Sequence, residues 1–130
     1  MNYVARSFSL LLASATLLIA AEVAKVSPQE AAQRLADGKA VLIDVREPGE
    51  WAESGVASPA TLLPMSDFDG AKKLWTPFLE NNAGKELILY CRSGHRAGLV
   101  AEKLAANGVP AANAGAFKDW AAAGLPVRKP

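Results

Sequence analysis

Two short runs, Ala40 to Val45 (AVLIDV) and Leu87 to Tyr90 (LILY), are apolar almost without interruption. A strand with one wet face alternates polar and apolar residues. A run without that alternation suits a strand covered on both faces, as in a parallel sheet. The segments around them read as helices. Ser27-Pro28-Gln29-Glu30 is an N-terminal helix signature, with Ser27 as cap, Pro28 in the first turn and Glu30 reaching back as a capping box. Asp37-Gly38 closes that helix, and Arg96 to Asn107 has helical period with Gly108 as its stop. Glu50 to Glu53 fits one helical turn, and Thr61 to Leu63 a brief strand. Ser66 to Asp69 repeats the capping pattern ahead of Phe68, Leu74 and Trp75, where Pro77 predicts a break into two short helices. Val109 to Ala114 is a weaker strand, and Phe117 to Ala123 a last helix stopped by Gly124. Strands alternating with helices predict an α/β domain, a mostly parallel central sheet with helices on both faces.

The 130 residues suit one domain, and 51% hydrophobic content excludes a disordered chain. Fourteen basic against 13 acidic residues give no one-signed field for nucleic acid. One cysteine and one histidine exclude an internal disulfide, a dithiol motif and a self-contained metal site of the Cys/His kind.

Residues 1–21 (MNYVARSFSLLLASATLLIAA) stand apart: one charge, Arg6, then an apolar stretch ending in small residues. That is the pattern of a secretory signal, and the stretch is short against the roughly 20 apolar residues of a spanning helix. The expected cut follows Ala21, giving a periplasmic or secreted protein of residues 22–130. Ile19 departs from the small-x-small pattern, so an uncleaved membrane anchor is the alternative. A lone thiol, Cys91, is unusual in an exported chain, because oxidising compartments pair or consume thiols.

Cys91 follows the second apolar run directly, at the end of a strand where open α/β sheets place their ligand sites. Ser93 and Gly94 let the backbone curl so that successive N–H groups form an anion-binding nest. The next helix adds its positive end, and Arg92 and Arg96 add two fixed charges. All of these favour thiolate over thiol. The plainer reading is a core cysteine acting as a small hydrophobe, but such a cysteine gains nothing from two nearby arginines.

With these residues in hand, the chain resembles the rhodanese (sulfurtransferase) family in its single-domain form. The resemblance spans nearly all of residues 27–128. It rests on VLIDVREPGEW at 41–51, ELILYCRSGHRA at 86–97, the helix ending at Gly108, and NAGAFKDWAAAGLPV at 113–127. It implies a rhodanese-like three-layer domain and no cofactor beyond a covalent persulfide on Cys91. It further implies a sulfane sulfur taken from thiosulfate or a similar small anionic donor and passed to cyanide or a thiol, protein thiols included. Carried over, Cys91 is the nucleophile. The amides of Arg92, Ser93, Gly94, His95 and Arg96 cradle the outer sulfur, and Arg92 and Arg96 attract the donor. The basic CRSGHR loop is similar to the thiosulfate type rather than the mercaptopyruvate type. Asp44 and Arg46 resemble a pair that braces the loop, with a plain strand-end ion pair as the alternative. Val56 stands where the family often has His, a position with a structural role. His95 supplies a side chain able to change charge near neutral pH.

Two other readings compete. A cysteine phosphatase or arsenate reductase needs Cys-x5-Arg, a loop wide enough for a tetrahedral oxyanion gripped by Arg. Here the spacing is Cys-x4-Arg and Ala97 occupies the required position. A non-catalytic module that ferries persulfide sulfur or binds a partner has the same fold, but an inert one has no need for the intact nucleophile and basic loop.

Overall fold

Ser27 Oγ accepts a hydrogen bond from the Glu30 N–H at 3.1 Å, and Pro28 begins the first helix. The expected capping box is only half formed: the Glu30 carboxylate lies toward Arg34, 4.0 Å away. The computed structural model describes residues 23–130, so the export segment read at 1–21 lies outside the described residues. In chain order the elements are β1 (Ala24–Lys25), α1 (Pro28–Ala36), β2 (Ala40–Asp44), α2 (Pro48–Ser54), β3 (Val56–Ala57), β4 (Ala60–Leu62) and α3 (Met65–Asp69). There follow α4 (Trp75–Asn81), β5 (Glu86–Cys91), α5 (His95–Ala106), β6 (Ala111–Ala116), α6 (Phe117–Ala122) and β7 (Val127–Arg128).

The two apolar runs form adjacent central strands. The main sheet has the order β1-β6-β5-β2-β4, and each of its neighbouring pairs is parallel. Side chains alternate across it. Leu42, Ile88 and Tyr90 face a core completed by Ala31 of α1 and Trp120 of α6. Ile43, Leu87, Leu89 and Cys91 face the other, completed by Phe68, Trp75, Val100 and Leu104 from α3, α4 and α5. Both faces are thus dry, which is why neither run alternates. The antiparallel component is a separate ribbon, β3 with β7.

The two short helices expected after Ser66 form as α3 and α4, but their cap and their break lie at other residues. Ser66 does not cap a helix; its hydroxyl donates to Glu47 Oε2 at 2.7 Å, and α3 begins one residue earlier at Met65. Asp67 is the capping residue instead, accepting from the N–H groups of Lys73, Leu74 and Trp75 at 2.9, 2.9 and 3.0 Å. Desolvation opposes ionisation there, yet these three donors hold its carboxyl below the ordinary value. Pro77 does not interrupt anything: it sits in the first turn of α4, where a missing N–H costs nothing. The break falls at 70–74, before Pro77 is reached.

Candidate active site

Strand β5 ends at Cys91, which is fully buried. Gly94 then turns the chain with φ +93°, and α5 starts at His95. That left-handed turn aims the Gly94 N–H at Cys91 Sγ, 3.0 Å away. A side chain at Gly94 would be strained by the positive φ, and its Cβ would stand 3.2 Å from Gly115 Cα. The nest expected from Ser93 and Gly94 therefore has one amide on the sulfur, with the N-terminal end of a 12-residue helix behind it.

The loop is held from β6. Asn113 Nδ2 donates to Gly94 O at 2.9 Å, while its Oδ1 accepts from Gly115 N at 2.9 Å. Between Leu89↔Asn113 and Cys91↔Ala116 the register slips by one residue, a bulge that contains Gly115. Bulges beside sites re-aim the chain, and this one brings β6 against the turn at Gly94. Asn113 is a residue that sequence reasoning missed. Its signal was present, an Asn two residues before Gly115 in a strand of small residues, but its meaning depends on the partner strand.

Asp44 and Arg46 are buried together. Arg46 donates from Nε and Nη2 to the Asp44 carboxylate at 2.8–3.2 Å, and further to Ser54 Oγ at 2.8 Å and Gly55 O at 2.9 Å. Its guanidinium lies 4.5 Å from the Phe117 ring centroid and 5.7 Å from that of Tyr90. Burial opposes its charge, but the Asp44 carboxylate overrides this and raises its pKa. Burial, aided by Asp44, likewise pushes the Tyr90 hydroxyl well above the ordinary phenol value. The pair grips the C-terminal end of α2 and makes no direct hydrogen bond to the loop.

Helix α2 supplies the link. Glu50 receives both terminal nitrogens of Arg96, at 2.7 and 2.8 Å. The Arg96 bonds hold the Glu50 carboxyl below its ordinary value, and the same bonds raise the guanidinium. Arg96, expected to face the donor, is thus engaged by a carboxylate, whereas Arg92 is exposed with no ion pair among the described residues. Both arginines and Ser93 line a cleft of about 1250 Å³, together with Arg46, Glu50, Glu53, Ser54 and the start of α6, Ala116 to Asp119. A second cavity of about 690 Å³ shares Ser93 and Asp119, and there His95 is found. Lys118, Asp119 and Glu53 were not singled out from sequence, since solvent-facing charges carry no local signal.

Ala97, where a phosphatase loop needs its arginine, is fully buried in the core beside Cys91 and Val100. Val56 is also fully buried, paired with Arg128 in the β3–β7 ribbon, so its role is packing.

The family model of the rhodanese-like domain matches residues 27–123. The chain belongs to the rhodanese-like family. Its helix-flanked parallel sheet is the rhodanese-like fold, and solved structures repeat it. A rhodanese-like domain protein from Staphylococcus aureus is 28% identical, with 82% of this chain and 99% of that one covered at a TM-score of 0.63. The polysulfide-sulfur transferase homodimer of Wolinella succinogenes is 23% identical, covering 84% and 80% at 0.64. A Rhodopseudomonas palustris protein described as a possible tyrosine phosphatase is 21% identical, covering 82% and 85% at 0.67. At such identity the last two share the fold alone. No curated protein matches the sequence.

Proposed function

We propose that this rhodanese-like protein is a sulfurtransferase that carries a sulfane sulfur on Cys91. The observation that carries the proposal is the Gly94 N–H donating to a single buried sulfur at the strand-to-helix turn. Such a donor, with the dipole of α5 and the charge of Arg92, favours negative charge on Sγ and on a sulfur attached to it. In the first step the Cys91 thiolate attacks the outer sulfur of thiosulfate. The donor's sulfur–sulfur bond breaks with its electron pair, sulfite departs, and Cys91 holds a persulfide. In the second step cyanide or a thiolate takes that outer sulfur and the Cys91 thiolate returns. No metal or organic cofactor enters either step. Polysulfide, the donor in the name of the Wolinella neighbour, fits the same first step. Arg92 reads the donor's charge directly, Arg96 sets the loop through Glu50, and Asp44–Arg46 is a brace for α2. Ser93 and His95 complete the loop around the outer sulfur.

Purified protein treated with thiosulfate should gain one sulfur atom by mass, lose it to cyanide, and release thiocyanate. A Cys91→Ser protein that still made thiocyanate at the parental rate would overturn the assignment. For location, we propose export with cleavage after Ala21. Intact mass of protein from its native host should give a chain beginning at Glu22; cytoplasmic protein beginning at Met1 would refute this.

A further inference from the structure

We propose that Glu50 is an internal competitor for the sulfur donor: its carboxylate fills the Arg96 guanidinium in the resting site, and an entering dianion takes its place. The proposal rests on the sulfurtransfer reading above and concerns the binding that precedes its first step. The two arginine pairs of the site are built differently. Arg46 and Asp44 expose 4% and 0% of their side chains, and Arg46 has further acceptors in Ser54 and Gly55, so a ligand has no way to part them. Arg96 and Glu50 expose 28% and 31%, and both line the cleft. Each terminal nitrogen of Arg96 gives one N–H to Glu50, and the rest of its donors have no acceptor among the described residues. A negative Cys91 sulfur adds to the raised pKa of Arg96, so the guanidinium lies within electrostatic reach of the nucleophile.

Glu50 has a second seat within reach. Its Oε1 lies 2.7 Å from Arg96 Nη1 but 3.5 Å from the Glu47 N–H, a distance too long for a well-made bond. The pull of Arg96 thus leaves the capping bond at the start of α2 stretched. Glu47 stays where it is, because its own carboxylate accepts from the Ser66 N–H at 3.1 Å and the Ser66 hydroxyl at 2.7 Å. A small turn of the Glu50 side chain away from Arg96 therefore shortens the bond to Glu47, which offsets part of the loss. One carboxylate between two donors is a two-state contact, and a ligand shifts it by binding one state better than the other. The guanidinium fork suits two oxygens of one group, and the sulfonate end of thiosulfate presents them. Its two charges also repel the Glu50 carboxylate until that carboxylate turns away. Cyanide has neither feature and leaves the pair closed.

The test isolates donor binding. Sulfur loading is followed by mass in single turnover against thiosulfate concentration, which separates the half-saturating concentration from the limiting rate. Glu50→Gln should lower the half-saturating concentration by roughly threefold to fivefold at low salt, the effect of one part-exposed charge pair, and by less as salt rises. Glu53→Gln removes a carboxylate from the same cleft without freeing Arg96, and should shift it by under about twofold. In an Arg96→Gln background, Glu50→Gln should lose its effect, because the two residues act as one unit. A half-saturating concentration that rises in Glu50→Gln, as loss of a mere strut would give, overturns the proposal. So does an unchanged value, or an equal fall in Glu53→Gln. Should Glu50→Gln fail to fold, Glu50→Asp draws the carboxylate back by one methylene and should shift the value in the same direction by a smaller factor; a rise there overturns the proposal equally. A parent protein that gains no sulfur by mass overturns the sulfurtransfer reading and the competition with it, whereas one that loads without these shifts overturns the competition alone.

Discussion

Replacing Asn113 with Ala removes two hydrogen bonds of unequal consequence. The Gly94 carbonyl keeps a second donor, the Gly98 N–H at 3.0 Å, so losing the Asn113 amide costs about 0.5–1.5 kcal/mol. The Gly115 N–H loses the acceptor that holds the bulge, and an orphaned, part-buried donor costs about 1–3 kcal/mol. Water entering beside a part-buried group lowers the total, which we place at about 2 kcal/mol. For a domain of this size that is a fall in Tm of roughly 10 °C. Activity should fall further than stability predicts, because the turn that aims the Gly94 N–H at Sγ is freed on its β6 side. Asn113→Asp separates the two effects: it keeps an acceptor for Gly115 and loses the donor to Gly94. It should therefore recover part of the Tm yet stay slow in both iodoacetamide alkylation of Cys91 and thiocyanate production. Thermal unfolding and the two rates, measured on the same preparations, decide the matter. An Asn113→Ala protein with unchanged Tm and unchanged alkylation would refute a positioning role for Asn113.

Gly94→Ala forces a side chain into φ +93° and against Gly115 Cα, so it should cost at least 1–2 kcal/mol by chemical denaturation and abolish most sulfur transfer. Arg46→Met leaves Asp44 buried without its partner, which should cost about 3–5 kcal/mol; adding Asp44→Asn should return much of it in the same unfolding assay. The Glu50–Arg96 pair has a pH signature. Because the folded carboxyl lies below its unfolded value of 4.5, its contribution is full above that pH and disappears as pH falls through the folded pKa. The stability gap between the parent and Glu50→Gln in chemical denaturation, about 0.5–1 kcal/mol at neutral pH, should close in acid, and a gap that widens there would contradict the pairing.

How much of this was legible in the chain follows from the range over which each force acts. The runs at 40–45 and 87–90 announce a sheet covered on both faces, because burial on two sides leaves no polar alternation. Ser27, Pro28 and Gly108 announce helix ends, because caps act within one turn. The loop from Cys91 to Arg96 is equally local: a thiol, two arginines and a glycine within one turn of chain need no distant partner to point to anion chemistry.

The strands β1, β3 and β7 have two residues each and no pattern of their own; only a neighbour's unpaired edge makes them strands. Asp67 caps a helix that starts eight residues later, so no capping motif could reveal it. The pairing of Glu50 with Arg96 spans 46 residues, and that of Asn113 with Gly94 spans 19. Local sequence determined where a nucleophile could sit and which backbone would cradle it. The tertiary structure decided which arginine is held by a carboxylate and which strand fixes the loop, because each of these depends on side chains that meet only when the sheet has closed.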